Sequence, residues 1–343
     1  LYKPALPTAI ITSFIMILTS APFLRKFSKI VVFSTLFLIF LGALIKSHEV
    51  GLSVPDWPSS YGYNMFTFPI SQWVGGIFYE HGHRLFATIV GFLTLSQSLL
   101  IAFSNQPLWL KKTAFLALFL VILQGMLGGI TVLFYLPPIV SMAHGVLAQT
   151  FFVVTIFIAY SLSNARSNKN GDNYSKELKS NALLFCGLIY MQLILGALMR
   201  HTASGLAIPD FPTMGGQWLP TFSDKMMNNI NVILFENDLD LVVRAQSLIH
   251  FLHRLGAVVV SSFLIYFFVY YRSYFNHDRL SSKIFNLIIF VIAIQVVLGV
   301  STVMSQKAPF IASFHVVTGA ALLGLSVLLY LNLVPNELRR RAL

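Results

Sequence analysis

The chain has a single cysteine, Cys186, so no disulfide can join two parts of it. Cys186 lies inside an apolar run and reads as a small buried residue. Charge is scarce as well. Charged residues make up 10% of the chain and apolar residues 56%, so lipid rather than water surrounds most of it. The net charge of +11 does not indicate nucleic-acid binding, because the basic residues sit in short connections and leave no basic patch. The strict alternation of a membrane β-barrel is absent too.

What is present is a series of apolar runs at 27–47, 80–104, 109–135, 138–163, 179–200, 244–272, 283–305 and 309–333. Each approaches or exceeds the ~20 residues that a helix needs to cross a bilayer core. Backbone groups in lipid must be satisfied internally, so these runs are expected to be helices. The predicted fold is an all-α integral membrane protein with eight transmembrane helices.

The basic residues orient it. Arg25, Lys26 and Lys29 precede the first run, and Lys111 and Lys112 follow the second. Arg166, Lys169, Lys176 and Lys179 follow the fourth, Arg272, Arg279 and Lys283 the sixth, and Arg339, Arg340 and Arg341 close the chain. These are 15 of the 23 Lys and Arg, all in alternate connections. The positive-inside rule puts that side in the cytoplasm of a multi-pass protein, with a bacterial inner membrane as the expected location. Residues 1–26 stand apart. Their apolar run 8–24, bracketed by Pro7 and Pro22, reads as an extra helix, an interfacial segment or a signal-like leader.

The two halves repeat. Gly51-Leu-Ser-Val-Pro-Asp-Trp-Pro58 matches Gly205-Leu-Ala-Ile-Pro-Asp-Phe-Pro212 at an offset of 154, which Gly42 and Gly196 share. The offset becomes 170 at His83 and His253, then 171 for Gln124 and Gln295, Gly128 and Gly299, and His144 and His315. A repeat kept at so many positions predicts two tandem, pseudo-symmetric four-helix bundles, over 27–163 and 179–333. Four crossings return the chain to the same side, so the bundles are expected to be parallel. Gly125, Gly128, Gly129, Gly196 and Gly299 are read as sites of close helix packing.

Histidines at membrane depth are rare and usually functional. His83 and His144 fall near the outer ends of the second and fourth runs, and His253 and His315 repeat them. Two imidazoles on different helices of a bundle suit the axial positions of a haem iron. Zinc fits less well, since no Cys, Asp or Glu completes a set of four in each half. Arg84 and Arg254 follow two of the histidines and read either as partners of haem propionates or as residues that snorkel to the interface. Glu80 shares a helix face with His83, and the second half has His250 at that place. Glu80 reads as a proton acceptor or as an exposed interfacial acid. His81 points the other way, and His48, His201 and His277 are given no role.

With these motifs in order in both halves, the chain resembles the haem A synthase family over about residues 27–333. The resemblance implies oxidation of a methyl group of haem O to a formyl group, giving haem A for cytochrome oxidase. It implies that His83 and His144 hold the substrate haem, that His253 and His315 hold a haem b, and that Glu80 takes part in the chemistry. It also implies an electron donor, not identified by the sequence, and a haem O synthase as a partner. Some members carry a cysteine pair in the outer loops. This chain has none there and belongs with the cysteine-free type. The alternative is a dihaem b-type membrane cytochrome that takes electrons from quinol.

Overall fold

The computed structural model describes residues 16–168, 174–275 and 278–334. Eight helices in it are long and apolar enough to cross a membrane: α1 (Ala21–Ser47), α2 (Gly76–Phe103), α3 (Leu108–Leu133), α4 (Pro138–Ser161), α6 (Lys176–His201), α8 (Arg244–Phe275), α9 (Arg279–Met304) and α10 (Pro309–Leu333). Two shorter helices, α5 (Asn164–Asn168) and α7 (Asp224–Glu236), lie between them. No strand forms among the described residues.

The apolar runs and the helices agree to within a few residues except at the start. There, α1 begins at Ala21 rather than at 27, with Pro22 in its first turn. Proline is tolerated there because the N–H it lacks has no helical partner in that turn. Pro22 therefore opens a helix rather than ending a segment. Residues 1–15, with positions 8–15 of the apolar run 8–24, lie outside the described residues.

The helices pack as two rings. In one, α1, α2, α3 and α4 touch in sequence and α4 returns to α1. In the other, α6, α8, α9 and α10 do the same. The rings meet along α1–α10, α4–α10 and α4–α6. At that seam Phe152 and Ile156 of α4 pack against Leu331 and Gly324 of α10. A methyl group at Gly324 would come within 2.8 Å of Ile156 Cδ1, so the close approach requires glycine. Large side chains such as Phe33, Phe92, Phe119 and Val297 project outward, as lipid contact demands.

The loops after α1 and α6 are near copies. Asp56 accepts hydrogen bonds from the N–H groups of Tyr61 (2.7 Å) and Gly62 (2.9 Å). Asp210 accepts from Gly215 (2.7 Å) and Gly216 (2.9 Å). All four donors have positive φ, which closes a tight turn bridged by Ser60 and Tyr63 in one loop and by Met214 and Gln217 in the other. Burial pushes each aspartate's pKa up, but the hydrogen bonds onto the carboxylate outweigh it, so both fall below the ordinary value of 3.8. The added residues of the second loop include α7. It buries Met226, Ile230 and Leu234 on one face against Leu206, Ala207 and Ile208.

Candidate functional site

The four histidines project from α2, α4, α8 and α10 at the end of the bundles that carries these loops, and each rests on a glycine of the preceding membrane helix. A methyl group built at Gly42 would meet Cε1 of His83 at 3.2 Å, and one at Gly128 would meet Cε1 of His144 at 3.3 Å. The same holds for Gly196 and His253 (3.2 Å) and for Gly299 and His315 (3.1 Å). Gly128, Gly196 and Gly299 were expected to serve helix packing, and Gly42 was noted only for keeping the repeat. They also make room for an imidazole, and the only sequence signal for this was that they keep the repeat.

Glutamines form a second tier. Gln124 donates to the backbone carbonyl of His144 at 2.9 Å, Gln192 to that of His253 at 2.8 Å and Gln295 to that of His315 at 2.9 Å. They hold the histidine-bearing turn of α4, α8 and α10. His83 has no such partner, because Leu38 occupies the position that matches Gln192.

The rings of His253 and His315 stand 6.3 Å apart between centroids, at 76°. That leaves room for one metal ion between two nitrogens with bonds of about 2 Å. In the first bundle His83 and His144 sit over Gly42 and Gly128 in the same manner. Nδ1 of His83, His144 and His315 is buried without a hydrogen-bond partner. Among the described residues no group of three or more His, Cys, Asp or Glu could hold a bare metal ion. Two protein nitrogens per site fit an iron whose other ligands come from a porphyrin.

A cavity of about 1040 Å³ opens beside the second pair, lined by His250, His253, Arg254, His315, Gly196 and Gly299 among others. It lies at the upper end of the ~300–1,000 Å³ usual for ligand sites. It also reaches Gly145 and Gln149 of α4 and Lys46 of α1, so the first ring supplies part of its wall.

Arg84 and Arg254 act as loop clamps. Arg84 donates to the carbonyls of Val54 (2.6 Å), Asp56 (2.6 Å) and Ser59 (3.0 Å), and pairs with Glu80 at 2.7 Å. Arg254 donates to the carbonyls of Ile208 (2.9 Å), Asp210 (2.9 Å) and Thr213 (3.2 Å), and its Nε lies 3.1 Å from His250 Nε2. Glu80 is buried rather than exposed at the interface. Its Oε2 accepts from the N–H of Val54 at 2.8 Å, and His250 Nδ1 accepts from the N–H of Ile208, the matching residue, at 3.3 Å. Glu80 and His250 thus fill one structural place. His81 belongs to the loop as well: Nδ1 lies 3.0 Å from Ser60 Oγ, and Phe68 and Trp73 flank the ring. His48 stacks on Tyr79 at 4.5 Å.

Two helical rings of membrane-spanning helices, each presenting a pair of imidazoles with no metal-holding cluster of His, Cys, Asp or Glu among the described residues, define a multi-pass membrane protein with a duplicated histidine pair. The chain belongs to the cytochrome oxidase assembly protein family, whose model matches residues 25–327. It is similar to the protein named heme A synthase in Shewanella oneidensis, 27% identical over 329 residues, covering 89% of this chain and 94% of that one. It is similar also to those of the same name in Shouchella clausii (26% over 300 residues; 85% and 91%) and Pelagibacter ubique (27% over 277 residues; 76% and 74%).

Proposed function

We propose that this protein is a haem A synthase, an oxidoreductase that converts the methyl group of haem O to the formyl group of haem A. The observation that carries the reading is the unequal duplication: two histidine pairs on one frame, with a buried carboxylate beside only one of them. Haem O is the substrate, held by His83 and His144 in the first bundle over 27–163. A resident haem b is held by His253 and His315 in the second bundle over 179–333. When bound, that haem supplies one-electron transfer between the reaction site and a donor. The excess of basic residues at the opposite end of the bundles supports an extracytoplasmic position for both sites in a bacterial inner membrane. Substrate too apolar to cross water favours delivery within the bilayer, which makes a haem O synthase a fitting partner.

Glu80 is the residue we assign to proton acceptance at the first site. The second half makes the same clamp with an imidazole, so the clamp itself does not require a carboxylate. An ionisable acid kept at membrane depth, where its burial is costly, supports a use in the reaction. Arg84 and the Val54 N–H hold it in one orientation.

Co-expression with a haem O synthase, followed by extraction of the haems, tests both assignments. Wild type is expected to yield haem A. Glu80→Gln, which keeps an acceptor for the Val54 N–H, is expected to accumulate haem O with haem b retained and haem A formation roughly a hundredfold slower or more, the lower end of a general-base contribution. Intact wild-type protein yielding only haem B and haem O would sink the synthase reading and leave the dihaem cytochrome. Unchanged haem A in Glu80→Gln would remove Glu80 from the chemistry.

A further inference from the structure

Three cations gather at the mouth of the second-bundle cavity. Lys46 comes from the last turn of α1, Arg200 from the last turn of α6, and Lys307 from the turn before α10; all three line the cavity. Lys46 is within electrostatic reach of both others and of Glu49, the one acid at the mouth. None of the three forms an ion pair with a described residue. Arg200 donates through one nitrogen to Ala43 O (2.5 Å) and Ser47 Oγ (3.0 Å), which ties α6 to α1 and leaves its other nitrogen donors over. Positive charge is therefore in excess at one end of an otherwise apolar cavity, a costly arrangement unless an anion completes it.

The place of these cations is set by the histidines. Arg200 lies four residues beyond Gly196, the seat of His253, which is one helical turn or about 6 Å toward the loop end. A porphyrin held by His253 and His315 would carry two carboxylates on one edge, which cations at the loop end of the cavity could receive. Arg254 lines the same cavity, but its donors are engaged by three loop carbonyls and His250.

The first half lacks the arrangement. Lys307 packs over Gly205, 3.4 Å from a methyl group built there, and Leu136 packs over Gly51 at the same 3.4 Å. The two turns share their shape, with positive φ at Tyr135 and Leu136 and at Gln306 and Lys307. The frame thus accepts leucine or lysine at this place, and lysine stands only in the second half.

We propose that Lys46, Arg200 and Lys307 form the carboxylate-binding end of the second site and receive the two propionates of the porphyrin held by His253 and His315. The assignment rests on the reading of that pair as the ligands of a resident haem. It makes the first bundle, through Lys46, a part of the second bundle's site.

The test follows haem b leaving detergent-solubilised holoprotein for excess apomyoglobin. Lys307→Leu, which installs the residue of the first half, and Lys46→Gln are each expected to lose haem b about tenfold faster, the scale of one charge-assisted hydrogen bond, with an unaltered b-type spectrum. Lys307→Arg is expected to keep the slow rate. Protein reloaded with protohaem dimethyl ester, which has no free carboxylate, should release it at the same rate in wild type and in Lys307→Leu. Loss of haem b from both variants at the wild-type rate overturns the carboxylate site and leaves the haem-ligand reading standing. Equal acceleration of ester loss by Lys307→Leu also overturns it, since the lysine would then act through the fold or through a bound lipid phosphate. A wild type with no b-type spectrum overturns both.

Discussion

The two halves share a frame down to single hydrogen bonds, yet they differ where a ligand would be held. In the second half, Gln192 ties α6 to the ligand turn of α8 and stands against Gly256, where a methyl group would fall 2.1 Å from Gln192 Oε1. In the first half the matching residues are Leu38 and Phe86, both packed against the apolar core. The exchange is concerted, because a phenylalanine at 256 could not coexist with Gln192 in this pose. Of the four ligand helices, the one bearing His83 is thus without a glutamine bond. Lys307 and Leu136 differ in the same sense. Both histidines of the second pair carry a glutamine bond and Lys307 stands nearby, whereas in the first pair only His144 has such a bond and leucines replace Gln192 and Lys307. A site that keeps its haem and a site that must exchange one would differ in this way.

The comparison breaks most sharply at the ligands. His315→Ala is expected to abolish the b-type spectrum and product formation together. His144→Ala should leave the b-type spectrum intact while haem A formation falls below detection. Absorption spectra and extracted haems of the two purified variants read this directly, and loss of the b-type spectrum in His144→Ala would reverse the assignment of the halves. A smaller effect is expected at the glutamine. Gln192→Leu removes a hydrogen bond worth about 1 kcal/mol, so haem b should leave about fivefold faster in the apomyoglobin assay. An unchanged rate would mean that the Gln192–Leu38 difference has no bearing on retention.

The smallest effect concerns the loops, where the halves are alike. Asp56 and Asp210 both have folded-state pKa values below the ordinary 3.8. Between the folded and unfolded values the unfolded loop binds more protons, so stability rises with pH there. The contribution is complete above the unfolded value and fades as pH falls through the folded one. Hydrogen-exchange protection factors at Tyr61, Gly62, Gly215 and Gly216, corrected for the intrinsic rate at each pH, should stay high at pH 5 and fall below about pH 4. Asp56→Asn should remove that acid dependence in the first loop only.

Much of this was legible in the chain. Length and apolarity marked each membrane helix, and the recurring offsets paired His83 with His253 and His144 with His315. The i, i+3 spacing put Glu80 and His250 at one place. The part played by Arg84 and Arg254 was not legible, because an arginine after a ligand reads equally as a propionate partner. Only the folded loop brings the carbonyls of Val54 and Asp56 to Arg84. The glycine seats were visible as repeated positions without a reason, since nothing in their spacing says which ring lies above them.

The sequence alone determined the membrane class and the eight helices, and it recorded the repeat that marks the four histidines. Lipid allows the backbone few ways to satisfy itself, and a repeat records its own period. The tertiary structure alone decided which glycine seats which imidazole, which arginines are engaged, and that Lys46 of the first half faces the cavity of the second. These depend on where side chains project once helices far apart in the chain pack together, and no local spacing encodes such contacts.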